Sequence, residues 1–195
     1  MPLGPFIRQV AGAESVTIED GKLLIGGAIQ ENRALTVTIR GGDFDGVHEF
    51  VLRAEPAGVI AESRPLEQQF ALLKAAESAG VTVPRPFWYC GDPAVAGKPF
   101  YLMRRLKGEA LGIRITRMGA QPDIAASLAR ELASIHTIRP PHAGLEFLED
   151  TRVSPALDAV AKYHAYLDEL LEPHPVLEWT LRWLEINAPD TGETV

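Results

Sequence analysis

One arginine of this chain stands where a cation could bind phosphate groups. Residues 49–56 read EFVLRAEP, so Arg53 follows an apolar run, 50–52, that is typical of a buried strand. A charged head group at that place emerges from the end of the strand or faces a cleft. The guanidinium group is planar, permanently charged and forked, which suits it to phosphate. Arg53 is therefore a candidate phosphate-binding residue, and an ordinary surface arginine is the alternative.

A glycine-containing segment between two strand patterns is a second candidate. Backbone amides in such a loop can bind phosphates, and glycine allows a close approach. An ordinary hairpin turn is the alternative. The segment lies between strand patterns near 23–29 and 35–40 and contains Gly26, Gly27, Gln30, Glu31 and Asn32.

The sequence predicts no metal site in this chain. Cys90 is the only cysteine, which excludes an intrachain disulfide and a cysteine-based metal centre. The histidines, including His136, His142, His164 and His174, show no tight metal-ligand spacing.

The elements that position Arg53 are predicted to be strands with one helix. Residues 14–54 alternate as β structure, with a turn at Asp20-Gly21 and a hairpin connection at 41–46. Residues 66–79 change to helical spacing, and Gly80 is placed to end that helix. The prolines that follow exclude helix and bracket short strands near 85–90 and 100–106.

The second half of the chain is predicted to be helical. Asp123 and Ser154 are candidate caps of two helices, and Ala188-Pro189 ends a third. Strands first and helices later indicate an α+β fold with a boundary around 107–122.

The stretch GVTVPRPFWYCGDPAVAGKPFYLMRRLKG at 80–108, read together with EFVLRAEP, resembles the aminoglycoside phosphotransferase and choline kinase-like family. The resemblance is closest to the branch found with acyl-CoA dehydrogenases. It implies a protein-kinase-like N-lobe at 1–106, in which a five-stranded antiparallel sheet over residues 14–106 has the 66–79 helix packed on it. It further implies a hinge or linker at 107–122 and the helical start of an incomplete, truncated C-lobe at 123–195.

The resemblance also implies a nucleotide site. Arg53 would hold the phosphates, and its usual partner would be a glutamate on the following helix. Gln69 stands at that position, with Glu67 two residues away, and either side chain could reach Arg53. Met103 would line the base pocket, and the backbone of Arg104 and Leu106 would read the adenine edge. The segment with Gln30, Glu31 and Asn32 would cover the nucleotide.

The family's catalytic residues have no counterpart here. Its catalytic aspartate lies in a His-Gly-Asp loop, and a later aspartate binds Mg²⁺. Gly42-Asp43-Phe44 echoes that loop but lacks the histidine and reads as a hairpin turn. We therefore expect ATP and Mg²⁺ as cofactors, with the catalytic residues and the metal ligands in a missing C-terminal part.

The function implied is the N-terminal portion of an ATP-dependent phosphotransferase that phosphorylates a hydroxyl group of a small metabolite or antibiotic. The chain as it stands should be inactive alone. The alternative is a non-catalytic binding or interaction module on a kinase-like lobe.

The net charge and the composition limit the kinds of partner that we expect for this chain. A net charge of −7 over 195 residues repels phosphate backbones and disfavours nucleic acid. No apolar run approaches the ~20 residues that span a bilayer, and the N-terminus lacks a signal-peptide core. We expect a cytoplasmic protein with a small-molecule substrate and no membrane partner. An absent lobe would expose an apolar face and favour self-association.

Overall fold

Five antiparallel strands form one sheet in the computed structural model, which describes residues 3–24, 31–55, 63–109, 111–119, 122–139, 141–148 and 154–189. The spatial order is β1-β2-β3-β5-β4. The predicted five-stranded antiparallel sheet is confirmed. The strands are β1 (Ser15–Leu23), β2 (Glu31–Arg40), β3 (Gly46–Ala54), β4 (Pro86–Cys90) and β5 (Phe100–Arg104).

Helices flank the sheet and dominate the second half of the chain, so the α+β class is also confirmed. The predicted helix at 66–79 is present as α2, and Gly80 follows it with a φ of 79°. The helices of the described residues are α1 (Leu3–Val10), α2 (Leu66–Ser78), α3 (Pro93–Ala96), α4 (Gly112–Arg117), α5 (Pro122–Ile135), α6 (Pro155–Leu170) and α7 (Pro175–Asn187).

The two faces of the sheet are covered by different helices. Phe50, Leu52 and Ala54 point to one face and are buried in the core against α1, which contributes Phe6 and Ile7. Successive side chains of a strand point to opposite faces, so the intervening residues of β3 face the other way. On that second face α2 packs through aromatic contacts with β4 and β5.

Several sequence predictions about local structure are wrong. Asp123 does not stand before its helix as a cap would, but lies in the first turn of α5, which begins at Pro122. Pro93 does not exclude helix but begins α3, where a missing N–H removes no helical hydrogen bond. The Asp92 side chain caps that helix by accepting from the Ala94 amide at 2.8 Å. Ser154 precedes α6 but makes no cap with its hydroxyl group, which instead donates to the Pro189 carbonyl at 3.2 Å.

The predicted turn at Asp20-Gly21 is instead a bulge within β1. Pairing with β2 runs to Asp20↔Leu35 and resumes at Leu23↔Arg33, so β1 has one extra residue there. A Cβ atom at Gly21 would lie 1.9 Å from the Ala34 carbonyl oxygen, which leaves room only for glycine. The strand thus continues where the sequence suggests a reversal.

The 41–46 segment connects β2 to β3, as predicted, and Ile39 pairs with Gly46. The Gly41 amide donates to the Asp45 carboxylate at 2.7 Å. Asp43 is exposed in this connection.

The chain divides into two compact units, 1–138 and 139–195. The first holds the sheet and the helices up to α5. The second is built on α6 and α7, where His164 lies 3.6 Å from Glu178 and 3.1 Å from Glu185. The predicted lobe boundary at 107–122 stays a prediction.

Candidate functional site

The sheet face that carries Arg53 gathers the candidate site residues from three strands. Directly opposed residues of antiparallel strands share a face and lie close together. Arg53 is opposite Asn32 of β2 and Tyr101 of β5, while Val51 is opposite Ala34 and Met103. A polar row thus lies beside an apolar row on the same face.

Arg53 is half-buried and its charge has no carboxylate partner within the part of the chain that the structure describes. Its Nη2 donates to Gln69 Oε1 at 3.4 Å, and its buried Nε has no hydrogen-bond partner among those residues. Burial raises the pKa of the neighbouring Tyr101, and the positive charge of Arg53 opposes that rise. The site therefore holds a positive charge that an anionic ligand could neutralise.

The partner left open by the sequence, Gln69 or Glu67, is Gln69. Glu67 is exposed in the first turn of α2 and makes no ion pair with Arg53. Its charge instead acts on Tyr89, whose pKa is raised first by burial and then by Glu67. Helix α2 is held against this face by Phe70, whose ring lies 5.7 Å from Tyr101 and 6.1 Å from Tyr89.

The predicted covering loop is placed only in part. Glu31 and Asn32 are the first residues of β2, so they are strand residues and not loop residues as predicted. Asn32 lies on the Arg53 face, whereas Glu31 is opposite Ala54 on the other face. There the Lys98 ammonium group, 2.6 Å from Glu31, lowers the pKa of that carboxyl. Gln30, with Gly26 and Gly27, lies outside the described residues.

The connector after β5 begins beside β3 and stays hydrogen-bonded to it for its first residue. The Arg104 amide donates to the Arg85 carbonyl at 2.8 Å, and the Arg105 amide donates to the Glu49 carbonyl at 2.9 Å. The Arg105 guanidinium also pairs with the Glu49 carboxylate at 3.0 Å. Leu106 is exposed, and its N–H makes no backbone hydrogen bond within the described segments. This connector can therefore offer backbone groups to a ligand.

A cleft of about 410 Å³ lies at this part of the sheet. Its volume is within the usual range for small-molecule sites. The β1 bulge supplies one wall and the connector supplies another. The lining residues are Gly21, Lys22, Ala34, Leu35, Thr36 and Arg105.

Several of these residues carry no sequence signal that could have revealed them. Ala34, Thr36 and Glu49 belong to the site region through strand register, which a single sequence does not specify. The Arg64 carbonyl, which accepts a hydrogen bond from the Gln69 side-chain amide at 2.6 Å, is a backbone group. Tyr101 could have been found, because it alternates with Met103 along β5.

Metal-binding groups are not assembled among the described residues. No group of three or more His, Cys, Asp or Glu side chains there is arranged to hold a metal ion. None of the described helices is long and apolar enough to cross a membrane.

Residues 23–195 match the phosphotransferase enzyme family (APH). That match covers most of the chain, so the protein belongs to this family, and the predicted family is confirmed. A solved structure of a candidate aminoglycoside phosphotransferase from Ralstonia eutropha JMP134 has the same fold. The TM-score is 0.58 at 20% identity, over 95% of this chain and 52% of that one.

Curated relatives are much longer than this chain. Acyl-CoA dehydrogenase family member 11 of Rattus norvegicus is 27% identical over 156 residues, which is 75% of this chain and 19% of the relative. The Gallus gallus protein of the same name is 33% identical over 109 residues, which is 52% of this chain and 13% of the relative. The chain thus spans less than a fifth of these relatives' length.

Proposed function

We propose that this chain forms the nucleotide-binding part of an ATP-dependent phosphotransferase acting on a hydroxyl group of a small molecule. Membership of the phosphotransferase family supports the class of reaction. The observation that carries the nucleotide site is the half-buried charge of Arg53, which has no carboxylate partner among the described residues. It lies on the same sheet face as Ala34, which lines the cleft.

In this proposal each part of the site has a separate task. Arg53 binds the phosphate groups, with Gln69 beside it. Val51, Ala34 and Met103 form an apolar surface for the base. The connector contributes the Arg104 carbonyl and the Leu106 amide to the base edge, because the Arg104 amide is already bonded to Arg85.

Phosphoryl transfer depends mainly on positioning and electrostatic stabilisation, so binding groups alone should give almost no rate. Bound Mg²⁺ would neutralise phosphate charge during transfer, and its ligands are proposed to lie outside these residues, as is the catalytic aspartate. The chain by itself is therefore proposed to be inactive. A cytoplasmic location and a small-molecule acceptor remain predictions of the same proposal.

Calorimetry with ADP and ATP tests the nucleotide site. We expect weak binding that Mg²⁺ changes little, and weaker binding still for Arg53→Ala. Tight and strongly Mg²⁺-dependent binding would contradict the proposed absence of metal ligands. Nucleotide binding without phosphoryl transfer, in a longer protein that carries the family's catalytic and metal-binding loops, would favour the non-catalytic module.

A second part of the proposal concerns self-association. Ile124, Leu128 and Leu132 form an apolar stripe on α5 and are each largely exposed. Light scattering across a concentration series should therefore show reversible association, and replacing Leu128 with Glu should reduce it. A monomer at all concentrations would contradict this part alone.

A further inference from the structure

Gln69 connects the Arg53 side chain to the backbone at the start of α2. Its Oε1 accepts the hydrogen bond from Arg53 at 3.4 Å, and its Nε2 donates to the Arg64 carbonyl at 2.6 Å. Arg64 precedes α2 by two residues. One side-chain amide therefore spans from β3 to the segment that leads into the helix.

The two bonds set the orientation of this amide. A guanidinium group can only donate hydrogen bonds and a carbonyl group can only accept them. The amide must therefore turn its oxygen toward Arg53 and its nitrogen toward Arg64. A glutamate at position 69 would have no donor to offer, and an ionised carboxylate would set an oxygen against the Arg64 carbonyl oxygen.

Because Gln69 is neutral, the site keeps the positive charge of Arg53. A carboxylate beside Arg53 would offset much of its positive charge before any ligand arrives. Gln69 holds the guanidinium group without neutralising its charge. Among the described residues, no carboxylate lies within ion-pair distance of Arg53. A partly buried cation with no anionic partner favours the binding of an anion, because the cation has already lost part of its hydration.

We propose that Gln69 is a positioning residue, which fixes Arg53 through a neutral amide anchored on the Arg64 carbonyl and so keeps the Arg53 charge available for polyphosphate. The polyphosphate in question is that of a nucleotide, so this part rests on the proposed function. The anchor itself is a property of the chain and can be measured without any ligand.

A ligand-free double-mutant cycle tests the anchor. Arg53→Met and Gln69→Met each remove one side of the contact while keeping an aliphatic side chain. We expect the two losses in melting temperature to be less than additive in the double variant, since both remove the same bond. Strictly additive losses would overturn the anchor.

Nuclear magnetic resonance of the unsubstituted chain gives a second measure that does not depend on a variant folding. The Gln69 side-chain amide protons should exchange slowly compared with those of exposed glutamines. Exchange as fast as that of an exposed side chain would also overturn the anchor.

Titration with ADP tests the consequence for charge. Gln69→Met should weaken ADP binding by about 3- to 10-fold, the effect of one hydrogen bond that positions Arg53, but by less than ~2-fold when Arg53 is already Met. Equal weakening in both backgrounds would mean that Gln69 does not act through Arg53. Gln68→Met is the matched control, because Gln68 neighbours Gln69 on α2 but bonds the Arg64 side chain at 3.3 Å, and it should leave ADP binding unchanged.

The charged variant Gln69→Glu tests whether the partner of Arg53 must be neutral or can be a carboxylate that forms an ion pair. At neutral pH we expect it to bind ADP at least ~3-fold more weakly than the parent chain. Binding as tight as that of the parent would overturn the requirement for a neutral partner. If the parent chain binds no ADP at all, the proposed function fails, while the unfolding cycle and the exchange measurement still decide whether the anchor exists.

Discussion

The sheet and the helices that follow the connector bury their apolar residues very differently. The largest fully buried side chains of the described residues all lie in the sheet region or its packed helices, among them Tyr101, Phe50 and Phe100. Helices α5 and α7, in contrast, leave Leu128 64% and Trp179 70% exposed. The sheet region therefore encloses a core of its own, whereas these two helices carry apolar faces that the described residues do not cover.

Because of this difference, we expect substitutions in the sheet core to change stability and substitutions on the exposed helix faces to change association. Helix α1 packs on one face of the sheet and α2 packs on the β4 and β5 part of the other, so the buried side chains there are close-packed and sensitive to any change in volume. An exposed leucine on α5 has few contacts to lose. The proposed nucleotide face belongs to the sheet region, so we expect substitutions there to affect ligand binding and substitutions on the exposed faces of α5 to affect association.

The largest effect should come from a cavity in the sheet core. Phe100 is fully buried, and its ring lies 5.5 Å from that of Phe6. Phe100→Ala should lower the free energy of unfolding by about 3–5 kcal/mol in urea titrations. Leu128→Ala should change it by only about 0.5 kcal/mol, as expected for an exposed position. Similar losses in the two variants would show that α5 is as well packed as the sheet.

The next effect concerns activity. In a longer protein that carries the family's catalytic and metal-binding loops, Arg53→Ala should lower phosphoryl transfer by at least ~10²-fold, as for the loss of one transition-state charge contact. Asp43→Ala should leave the rate nearly unchanged, because Asp43 lies in the connection between β2 and β3. An inactive Asp43→Ala protein would mean that the catalytic group has been assigned to the wrong region.

Sequence periodicity was enough to predict the sheet region in outline. Alternation in β2 and β3 and the helical spacing of α2 come from local burial, which a single sequence records directly. Helix α1 was not predicted because its apolar residues, Phe6 and Ile7, become informative only once the sheet face that receives them is known. Asp20-Gly21 predicts a turn where the structure has a bulge in β1, because an Asp-Gly pair favours both.

The candidate site was predicted less completely than the fold. Arg53 and Met103 lie on one sheet face, with Gln69 of α2 beside Arg53, but Glu31 is bonded to Lys98 on the other face. Strand register decides which face a residue occupies, and a shift of one residue reverses it. Residue types and spacing in a single chain do not specify that register.

A smaller effect should come from the bulge beside the cleft. Gly21→Ala places a Cβ atom against the Ala34 carbonyl oxygen, which is backbone and cannot move aside cheaply. We expect a loss of about 1–3 kcal/mol in unfolding free energy, typical of overpacking. Gly108→Ala is the control, since nothing lies within 4 Å of its Cβ position, and it should unfold like the parent. If Gly21→Ala is equally harmless, β1 does not pair closely with β2 at this point.

The smallest effect should come from the contact that ties α5 to the sheet region. The Glu131 carboxylate accepts the Thr82 amide and the Thr82 hydroxyl, both at 2.7 Å, and these bonds lower the pKa of Glu131 below its usual 4.5. Because the folded-state pKa is the lower one, the contact contributes fully to stability above pH 4.5 and is lost as the pH falls through the lowered value.

Glu131→Gln should therefore speed amide exchange at Thr82 at neutral pH, with little change in global stability. Glu146→Gln is the matched control, because that carboxylate accepts from the backbone amides of Gly144, at 2.8 Å, and of Glu146 itself, and it should leave Thr82 unaffected. Unchanged Thr82 exchange in Glu131→Gln would mean that α5 is not held to the sheet region by this contact, which would widen the difference between the two regions.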